Sequence, residues 1–307
     1  MLLITGATGY LGRALVPDLR ARGSPLRIAG RERCLGSIQD PSAFSPSVLD
    51  LEQVELAPAS TFEGLSMALH CAGLAHRRAS FEDYLRLNTE ASLSIARRAQ
   101  EGGASTFIFV SSLNIVPADT DNAGLGVESY PEPSEPYAAS KWRAEQELND
   151  YCAGVDMTLR IVRPALIYDF DLTANLARLQ RLMGRWPIHL PALGRRSMIA
   201  RPDLVRLLTL VAEAPQQFSP IIPAIDGEQY DVRRIGRSLG VRDRGRVTLP
   251  NSLLRAASVL LDARSGAHWG EAWRTLSADH WVGDVQHTPH WRPQWTLESL
   301  LASKAMS

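Results

Sequence analysis

The chain has 307 residues, 45% of them hydrophobic and 21% charged, which is the ordinary balance of a globular protein. Lysine plus arginine number 33 and aspartate plus glutamate also 33, so the net charge indicates neither a nucleic-acid partner nor a membrane partner. The three cysteines lack metal-ligand spacing and cannot all pair, and we find no signal peptide and no apolar run that could span a bilayer, which predicts a cytoplasmic protein without a metal site.

The first half of the sequence alternates short apolar runs with longer segments of helical periodicity, which is typical of βαβ units around a parallel sheet. We predict a loop over 117–136, where Gly, Pro, Asp and Ser are frequent. In chain order, the predicted strands are 2–4, 26–29, 47–49, 67–71, 106–110 and 157–162, and the predicted helices are 12–22, 81–100 and 137–151.

The composition of the sequence changes after Pro164, where proline and arginine become more frequent and the regular alternation is lost. This change predicts an α/β fold in which a Rossmann-type, doubly wound parallel sheet covers 1–164. Residues 165–307 are expected to form mainly a smaller substrate-binding lobe, with the chain returning to the sheet as a strand near 220–224.

A glycine-rich turn lies between the first predicted strand and the first predicted helix. Gly6 permits a tight turn, Gly9 lets the backbone approach a pyrophosphate, and Gly12 lets the helix pack closely. Because N–H groups at the start of a helix attract phosphate, the turn predicts a dinucleotide site; the alternative is a turn without a ligand. The predicted cofactor contacts here are Gly6, Thr8, Gly9, Tyr10, Leu11 and Gly12.

The residues after the second predicted strand bear on the choice between NAD(H) and NADP(H). Arg31, supported by Arg33, can hold a 2′-phosphate, whereas a carboxylate at this place would repel it. The alternative is that Glu32 binds the ribose and that both arginines are solvated. The arginines favour NADP(H) over NAD(H) as the cofactor.

Tyr137 and Lys141 stand four residues apart at the start of a predicted helix, and therefore on one face of it. Because a positive charge favours a phenolate, the Lys141 ammonium and the positive nicotinamide ring of an oxidised cofactor are expected to favour ionised Tyr137, which could then exchange a proton with a substrate oxygen. Ser112 follows a buried strand and could orient that oxygen. We predict Ser112, Tyr137 and Lys141 as catalytic residues; the alternative for the last two is an exposed helix pair.

The order of these motifs along nearly the whole chain resembles the extended short-chain dehydrogenase/reductase family, which includes NAD(P)-dependent nucleotide-sugar epimerases, reductases and dehydratases. Within it, the sequence looks most similar to bacterial UDP-N-acetylhexosamine 4-epimerases and 4-keto reductases. The resemblance implies that Asp50 contacts the adenine and that Tyr137 and Lys141 also touch the cofactor. Further cofactor contacts that it implies are Leu51, Cys71, Ala72, Gly73, Asn88 and Pro164.

The resemblance also implies a UDP-sugar substrate, with a homodimer through helices 81–100 and 137–151. Dehydratases of the family carry a Thr-Asp-Glu run after the strand serine, but Leu113-Asn114-Ile115 stands here, so we exclude water elimination. Relatives often have lysine in place of Asn114, which leaves the sugar open. The implied substrate contacts are Ser112, Asn114, Asn175, Arg196 and, as a weaker third diphosphate ligand, Arg274.

Three functions are compatible with these motifs. The first is an NAD(P)-dependent enzyme acting at C4 of a UDP-sugar, either as an epimerase or as a 4-keto reductase. The second is an NADP(H)-dependent reductase of a non-sugar carbonyl, because a fold does not fix a substrate. The third is a sensor that binds NADP(H) without turnover, which the presence of both Tyr137 and Lys141 disfavours.

Overall fold

A computed structural model describes residues 1–35, 45–75, 79–117, 130–171, 176–177, 180, 188–189, 192–241, 247–248, 250–265, 277–282 and 289–304. Its strands are β1 (Leu2–Thr5), β2 (Leu26–Gly30), β3 (Ser45–Val48), β4 (Met67–His70), β5 (Thr106–Val110), β6 (Thr158–Pro164), β7 (Leu166–Tyr168), β8 (Ile188–His189), β9 (Met198–Ala200), β10 (Ile221–Ala224) and β11 (Val247–Thr248).

Seven of these strands form one sheet in the order β10-β6-β5-β4-β1-β2-β3, and every neighbouring pair is parallel. The carboxyl ends of parallel strands meet at one edge of the sheet. The order reverses at β1, which lies between β2 and β4, and a crevice at such a reversal is where open α/β sheets bind ligands.

Helices connect the strands, as parallel pairing requires. Among the described residues no helix is both long and apolar enough to cross a membrane. The helices are α1 (Gly12–Ala21), α2 (Glu32–Leu35), α3 (Phe81–Tyr84), a π-helical segment (Leu85–Glu90), α4 (Ala91–Glu101), α5 (Pro136–Gly154), α6 (Arg201–Glu213), α7 (Val232–Ser238), α8 (Asn251–Ser265) and α9 (Leu297–Lys304).

Both faces of the sheet are covered, because successive residues of a strand point to opposite faces. Ile4 of β1 belongs to an apolar cluster with Leu15 of α1 and Leu204 of α6. Its neighbour Leu3 belongs to a second cluster on the other face, with Ile95 of α4 and Leu148 of α5. The sheet is thus the middle layer of three.

A second core is built from segments that follow β6 in sequence. β7 pairs with β9, and Met198 packs with Ile235 and Leu297. Three polar side chains in this core, which we call the lobe cluster, are Tyr168, Asp226 and Tyr230. Oδ2 of Asp226 accepts hydrogen bonds from the Tyr168 hydroxyl at 2.8 Å and the Tyr230 hydroxyl at 2.7 Å.

The predicted fold class is confirmed, since the sheet is parallel and wound on both sides. The strand predicted at 106–110 has those bounds, and the strand expected near 220–224 pairs with β6. The helix predicted over 81–100 is not regular, because a π-helical segment interrupts it. The β7–β9 pair and helix α6 were not predicted. The division into 1–164 and 165–307 stays a prediction.

Candidate active site

The glycine-rich turn joins β1 directly to α1. Gly6 has a φ of 75°, a left-handed conformation that favours glycine, and a Cβ there would lie 2.7 Å from the Ala72 nitrogen. At Gly12 a Cβ would lie 2.2 Å from the Gly6 carbonyl oxygen, so the helix can begin this close to the turn only with glycine. The N–H groups of the first turn of α1 consequently lie at the carboxyl edge of the sheet, where a phosphate would be attracted.

The segment after β4 contacts the start of α5 through Asn88. The Asn88 side chain is fully buried; its Oδ1 accepts from Leu74 N at 2.7 Å, and its Nδ2 donates to the Leu74 carbonyl at 3.0 Å and to Ser140 Oγ at 3.0 Å. A Cβ on Gly73 would lie 2.8 Å from Asn88 Oδ1 and 3.5 Å from Lys141 Nζ. Asn88 therefore ties the segment after β4 to the helix that carries Tyr137 and Lys141.

Asn88 reaches this position from the π-helical segment. Such segments insert an extra residue into a helix and are frequent at functional sites. Ser92, one turn further on, donates to the Asn88 carbonyl at 2.6 Å and lies 2.9 Å from Nε2 of buried His70. Nδ1 of His70 lies 2.6 Å from Thr5 Oγ1. His70, next to the predicted cofactor segment, is therefore a packed link between β1, β4 and α4.

Tyr137 and Ser112 meet at the carboxyl edge. Helix α5 begins with Pro136, and the preceding Glu135 side chain accepts a hydrogen bond from Ala138 N at 2.8 Å, which fixes the first turn. The half-buried Tyr137 is hydrogen-bonded to Ser112, the second of the two serines that follow β5. Oγ of Ser111 is buried with no hydrogen-bond partner among the described residues.

Lys141 lies one turn after Tyr137 and is buried. Its Nζ donates to the Val110 carbonyl at 3.1 Å, at the end of β5, and stands 4.6 Å from the centre of the Phe109 ring. Burial lowers the pKa of Lys141 to about 8, and the nearby Glu145 carboxylate opposes this shift. We call Asn88, Ser112, Tyr137, Ser140 and Lys141 the sheet cluster.

The expected effect of Lys141 on Tyr137 is not what the structure shows. Burial raises the pKa of Tyr137 to about 12; the Ser112 hydrogen bond lowers it, but by less, and the Glu135 charge raises it further. The ammonium of Lys141 is engaged with the Val110 carbonyl instead. The protonated phenol is therefore the dominant form at neutral pH; Lys141 does not lower the Tyr137 pKa as expected, and the effect of an oxidised nicotinamide stays a prediction.

The other predicted cofactor residues lie along the same edge. Arg31 is exposed and directly follows β2. Asp50 is also exposed and lies two residues after the end of β3, with Leu51 next to it. Cys71 N donates to the Thr5 carbonyl at 3.2 Å, and Pro164 ends β6 opposite Ala224 of β10. Arg33 lies in α2, but its side chain is outside the described part. The roles of these residues stay predictions.

The predicted substrate contacts are described only in part. Asn114 is exposed and donates its backbone N–H to Ser112 Oγ at 3.2 Å. Arg196 is buried in the lobe, where its backbone pairs with Tyr230 and its Nε donates to the Gly194 carbonyl at 3.1 Å. Burial lowers the pKa of Arg196, and Asp279 opposes this. Asn175 and Arg274 lie outside the described residues.

Two features near the site were not predicted. Arg163 and Glu145 are both fully buried, and the guanidinium pairs with the carboxylate at 2.5 Å between Nη2 and Oε2. Glu145 stands one turn after Lys141, so the helical spacing could have indicated it. Ser140, which donates to the Tyr137 carbonyl at 2.8 Å while it accepts from Asn88, had no sequence signal. Within the described part, no group of three or more potential metal ligands is assembled.

Comparison with known proteins agrees with this geometry. The profile of the NAD dependent epimerase/dehydratase family matches residues 2–220. The UDP-glucose 4-epimerase of Vibrio cholerae is 25% identical, over 97% of this chain and 92% of the relative. The ceramide reductase of Caulobacter vibrioides is 31% identical, over 86% and 78%. The solved structure of MoeE5 with UDP-glucuronic acid and NAD superposes with a TM-score of 0.72 at 21% identity, covering 98% of this chain and 96% of MoeE5.

Proposed function

The chain belongs to the NAD dependent epimerase/dehydratase family, and within it we propose a nicotinamide-dependent enzyme that oxidises or reduces C4 of a UDP-sugar. The observation that carries the proposal is the Ser112–Tyr137 hydrogen bond, with buried Lys141 one turn further on. A hydroxyl, a phenol and an ammonium grouped at the carboxyl edge of a parallel sheet suit proton exchange with a substrate oxygen. Similarity to the Vibrio cholerae UDP-glucose 4-epimerase over nearly the whole chain supports a UDP-sugar as substrate.

Tyr137 is the general acid and base of the proposal. With a pKa of about 12 the phenol keeps its proton at neutral pH and can donate it to a carbonyl oxygen that is being reduced. Ser112 holds that oxygen through its hydroxyl. In the oxidative direction Tyr137 must accept a proton, and the positive charge of an oxidised nicotinamide would favour this when the cofactor is bound.

A dinucleotide fits the carboxyl edge of the sheet. When bound, it supplies or accepts the hydride at the substrate carbon. The turn from Gly6 to Gly12 and the start of α1 would hold its pyrophosphate, and Asp50 its adenine end. Ala72 and Gly73 would line it between these points and Lys141. A side chain at position 73 would collide with Asn88, so only glycine fits at this point of the segment.

The UDP moiety would lie on the lobe side. A diphosphate needs compensating cations, which arginine supplies in a bidentate geometry. We propose Arg196 as the main contact, with Asn175 and Arg274 as further ones. An epimerase oxidises C4 and returns the hydride to the opposite face with its cofactor retained, whereas a reductase consumes exchangeable cofactor. A homodimer through α4 and α5 stays a prediction.

A reductase of a non-sugar carbonyl is the second candidate. The 31% identity with ceramide reductase of Caulobacter vibrioides favours it, because that relative acts on a lipid rather than a sugar nucleotide. The same proton transfer by Tyr137 would serve either substrate. A sensor without turnover is the third and is disfavoured, since Ser112, Tyr137 and Lys141 are assembled together.

We propose NADP(H) as the preferred cofactor because of Arg31. Arg31 is exposed directly after β2, where the 2′-phosphate of NADP(H) would lie. The alternative is NAD(H), which the solved MoeE5 structure contains, with Glu32 on the ribose. Substitution Arg31→Glu is expected to weaken NADPH binding about tenfold or more and to leave NADH binding nearly unchanged. Equal weakening of both cofactors would reject the preference.

The proposed function is tested by fluorescence titration of the purified protein with NADPH and NADH, first alone and then with UDP or UDP-N-acetylglucosamine present. Binding of either cofactor that UDP strengthens supports a UDP-sugar substrate. Cofactor binding that is indifferent to UDP, combined with reduction of simple ketones, would favour the second candidate. The epimerase and the reductase differ in stoichiometry, because only the reductase oxidises one NAD(P)H for each sugar converted.

A further inference from the structure

Tyr10, in the middle of the glycine-rich turn, is held by two residues that follow it by more than 150 positions. The Tyr10 hydroxyl is hydrogen-bonded to the Asp169 carboxylate. The Arg201 guanidinium lies 4.6 Å from the centre of the Tyr10 ring, and its Nη1 donates to the Tyr10 carbonyl at 3.3 Å. Arg201 and Asp169 also pair with each other, at 2.6 Å between Nη2 and Oδ2. Each of the three residues therefore contacts the other two.

Because Tyr10 belongs to the glycine-rich turn, these contacts can restrict the movement of the predicted phosphate site. The preceding Gly9 has no side chain and the following Leu11 packs against the core, whereas the Tyr10 side chain is exposed and contacts Asp169 and Arg201. Asp169 follows β7 and is nearly fully buried, and Arg201 is the first residue of α6. A buried carboxylate and a planar guanidinium make a directional pair, which orders the ring between them.

We propose that Asp169 and Arg201 are positioning residues that latch the glycine-rich turn through Tyr10 and slow the release of the bound dinucleotide. This inference rests on the proposed function, because it presupposes that the turn binds a dinucleotide. A latch of this kind sets how long a cofactor is retained. Retention is the property by which an enzyme that recycles its cofactor differs from one that exchanges it at each turnover.

A direct role of Arg201 is the competing explanation, since a cation beside the turn could attract the pyrophosphate itself. The two explanations predict opposite effects of Asp169→Asn. If Arg201 contacted phosphate, removing its carboxylate partner would free the cation and slow cofactor release. If Arg201 and Asp169 act together through Tyr10, the substitution breaks the latch and speeds release.

The experiment measures the dissociation rate of NADPH, or of NADH if that binds more tightly, by stopped-flow displacement from the full-length protein. We expect Arg201→Met and Asp169→Asn each to raise this rate about tenfold, and Tyr10→Phe to raise it about threefold. Tyr10→Phe deletes one hydroxyl from a side chain that is 43% exposed, so it leaves folding intact. The melting temperature of each variant without cofactor is recorded alongside.

The matched control is Arg206→Met on the same helix. Arg206 also pairs with an acidic residue, Asp203 at 3.2 Å, and lies 5.9 Å from the ring centre of Trp291. Arg206 contacts Asp203, the Arg292 carbonyl and Trp291, none of which belongs to the glycine-rich turn. A dissociation rate within roughly twofold of wild type is expected for it, whatever its melting temperature.

The outcomes distinguish a failure of the latch from a failure of the proposed function. Release from the Arg201 and Tyr10 variants at the rate of Arg206→Met would overturn the latch and leave the proposed function standing. Slower release from Asp169→Asn would overturn the latch in favour of a direct phosphate contact. A wild-type protein that binds neither NADPH nor NADH would overturn the proposed function and the latch with it. A release rate for Arg201→Lys between those of wild type and Arg201→Met would support the latch.

Discussion

The sheet cluster and the lobe cluster both combine tyrosine with a buried ionisable group, but their hydrogen bonding differs. In the lobe cluster Asp226 accepts from two tyrosines and from Glu228 N at 3.0 Å, and the Tyr230 hydroxyl accepts from Leu297 N at 3.0 Å. At the sheet edge, Tyr137 is only partly buried and the neighbouring Ser111 Oγ has no partner among the described residues. Perturbed pKa values occur in both, so a shifted pKa alone does not mark an active site.

The difference that carries functional meaning is spare hydrogen-bonding capacity. A saturated cluster stabilises the fold and has nothing left to offer a ligand, whereas an unpaired hydroxyl beside an accessible phenol can bind one. The two clusters should therefore respond oppositely to the removal of one hydroxyl. At the sheet edge turnover should fall with little change in stability, and in the lobe stability should fall with little change in turnover.

The largest effect is expected from Tyr137→Phe. Loss of the proposed proton donor should lower turnover by about 10²- to 10⁴-fold, which corresponds to roughly 3–5 kcal/mol of activation free energy. Cofactor affinity and the melting temperature should stay close to wild type, because the ring and its edge contact with Tyr84 remain. Steady-state kinetics and cofactor titration on the same preparation give both quantities. Unchanged turnover would remove Tyr137 from the mechanism.

The converse effect is expected from Tyr230→Phe. This substitution deletes the donor to Asp226 and the acceptor for Leu297 N inside a saturated cluster, at a cost of roughly 1.5–3 kcal/mol in the free energy of unfolding. Denaturant unfolding measures it, and Tyr168→Phe is the matched variant. Turnover of the folded protein per active site should change less than about twofold. A loss of turnover comparable to that of Tyr137→Phe would erase the distinction between the clusters.

Much of the sheet edge was predictable because its determinants are local. The left-handed turn at Gly6 and the four-residue spacing of Tyr137 and Lys141 are set by neighbours in sequence. The strands were predictable for the same reason, since a sheet covered on both faces needs continuous apolar runs. The pKa of Tyr137 was not predictable, because it depends on packing between distant segments. That packing buries Tyr137 and brings the Val110 carbonyl to Lys141.

The contacts that join distant segments escaped prediction. The Asn88–Ser140 hydrogen bond spans 52 residues and depends on a π-helical segment that a regular 3.6-residue period does not anticipate. The contact of Arg201 with Tyr10 spans 191 residues. The lobe around Arg196 contains isolated β-bridges to Tyr230 and His280, and the hydrophobic periodicity of the sequence does not predict such bridges.

The two regions should also differ in the sign of their pH dependence. Burial lowers the pKa of His70, beside the sheet cluster, to about 3, so the folded state binds fewer protons than the unfolded state below the ordinary value of 6.5. Burial raises the pKa of Asp226 from 3.8 to about 6, so the folded state binds more protons in that window. The contribution of His70 to the free energy of unfolding therefore falls as the pH falls, and that of Asp226 falls as the pH rises. Each changes by at most about 1.4 kcal/mol per pH unit.

Unfolding free energies of His70→Gln and Asp226→Asn, measured from pH 4 to 6 and referred to wild type, test these signs. As the pH falls, the difference for His70→Gln should become more favourable to the variant, because wild type alone bears the cost of a neutral buried imidazole. The difference for Asp226→Asn should become less favourable, because the wild-type carboxyl takes up its proton. Parallel slopes would contradict the assignment of either group.

The smallest effect is expected from Ser140→Ala, which tests whether the sheet cluster is ordered by a residue that does not itself react. Ser140 Oγ accepts from Asn88 and donates to the Tyr137 carbonyl, but Asn88 keeps both of its bonds to Leu74, so the cluster should loosen without collapsing. We expect a loss of about 1 kcal/mol in unfolding free energy and a fall in turnover of about threefold, with the pH profile of turnover unchanged. In the lobe, Ser238→Ala removes a hydroxyl that donates to the Arg234 carbonyl at 2.9 Å and serves as the control. Because Ser238 is hydrogen-bonded to Arg234 and Glu298 and to no member of the sheet cluster, an equal fall in turnover in both variants would show that turnover follows global stability. The order of the sheet cluster would then make no contribution to catalysis.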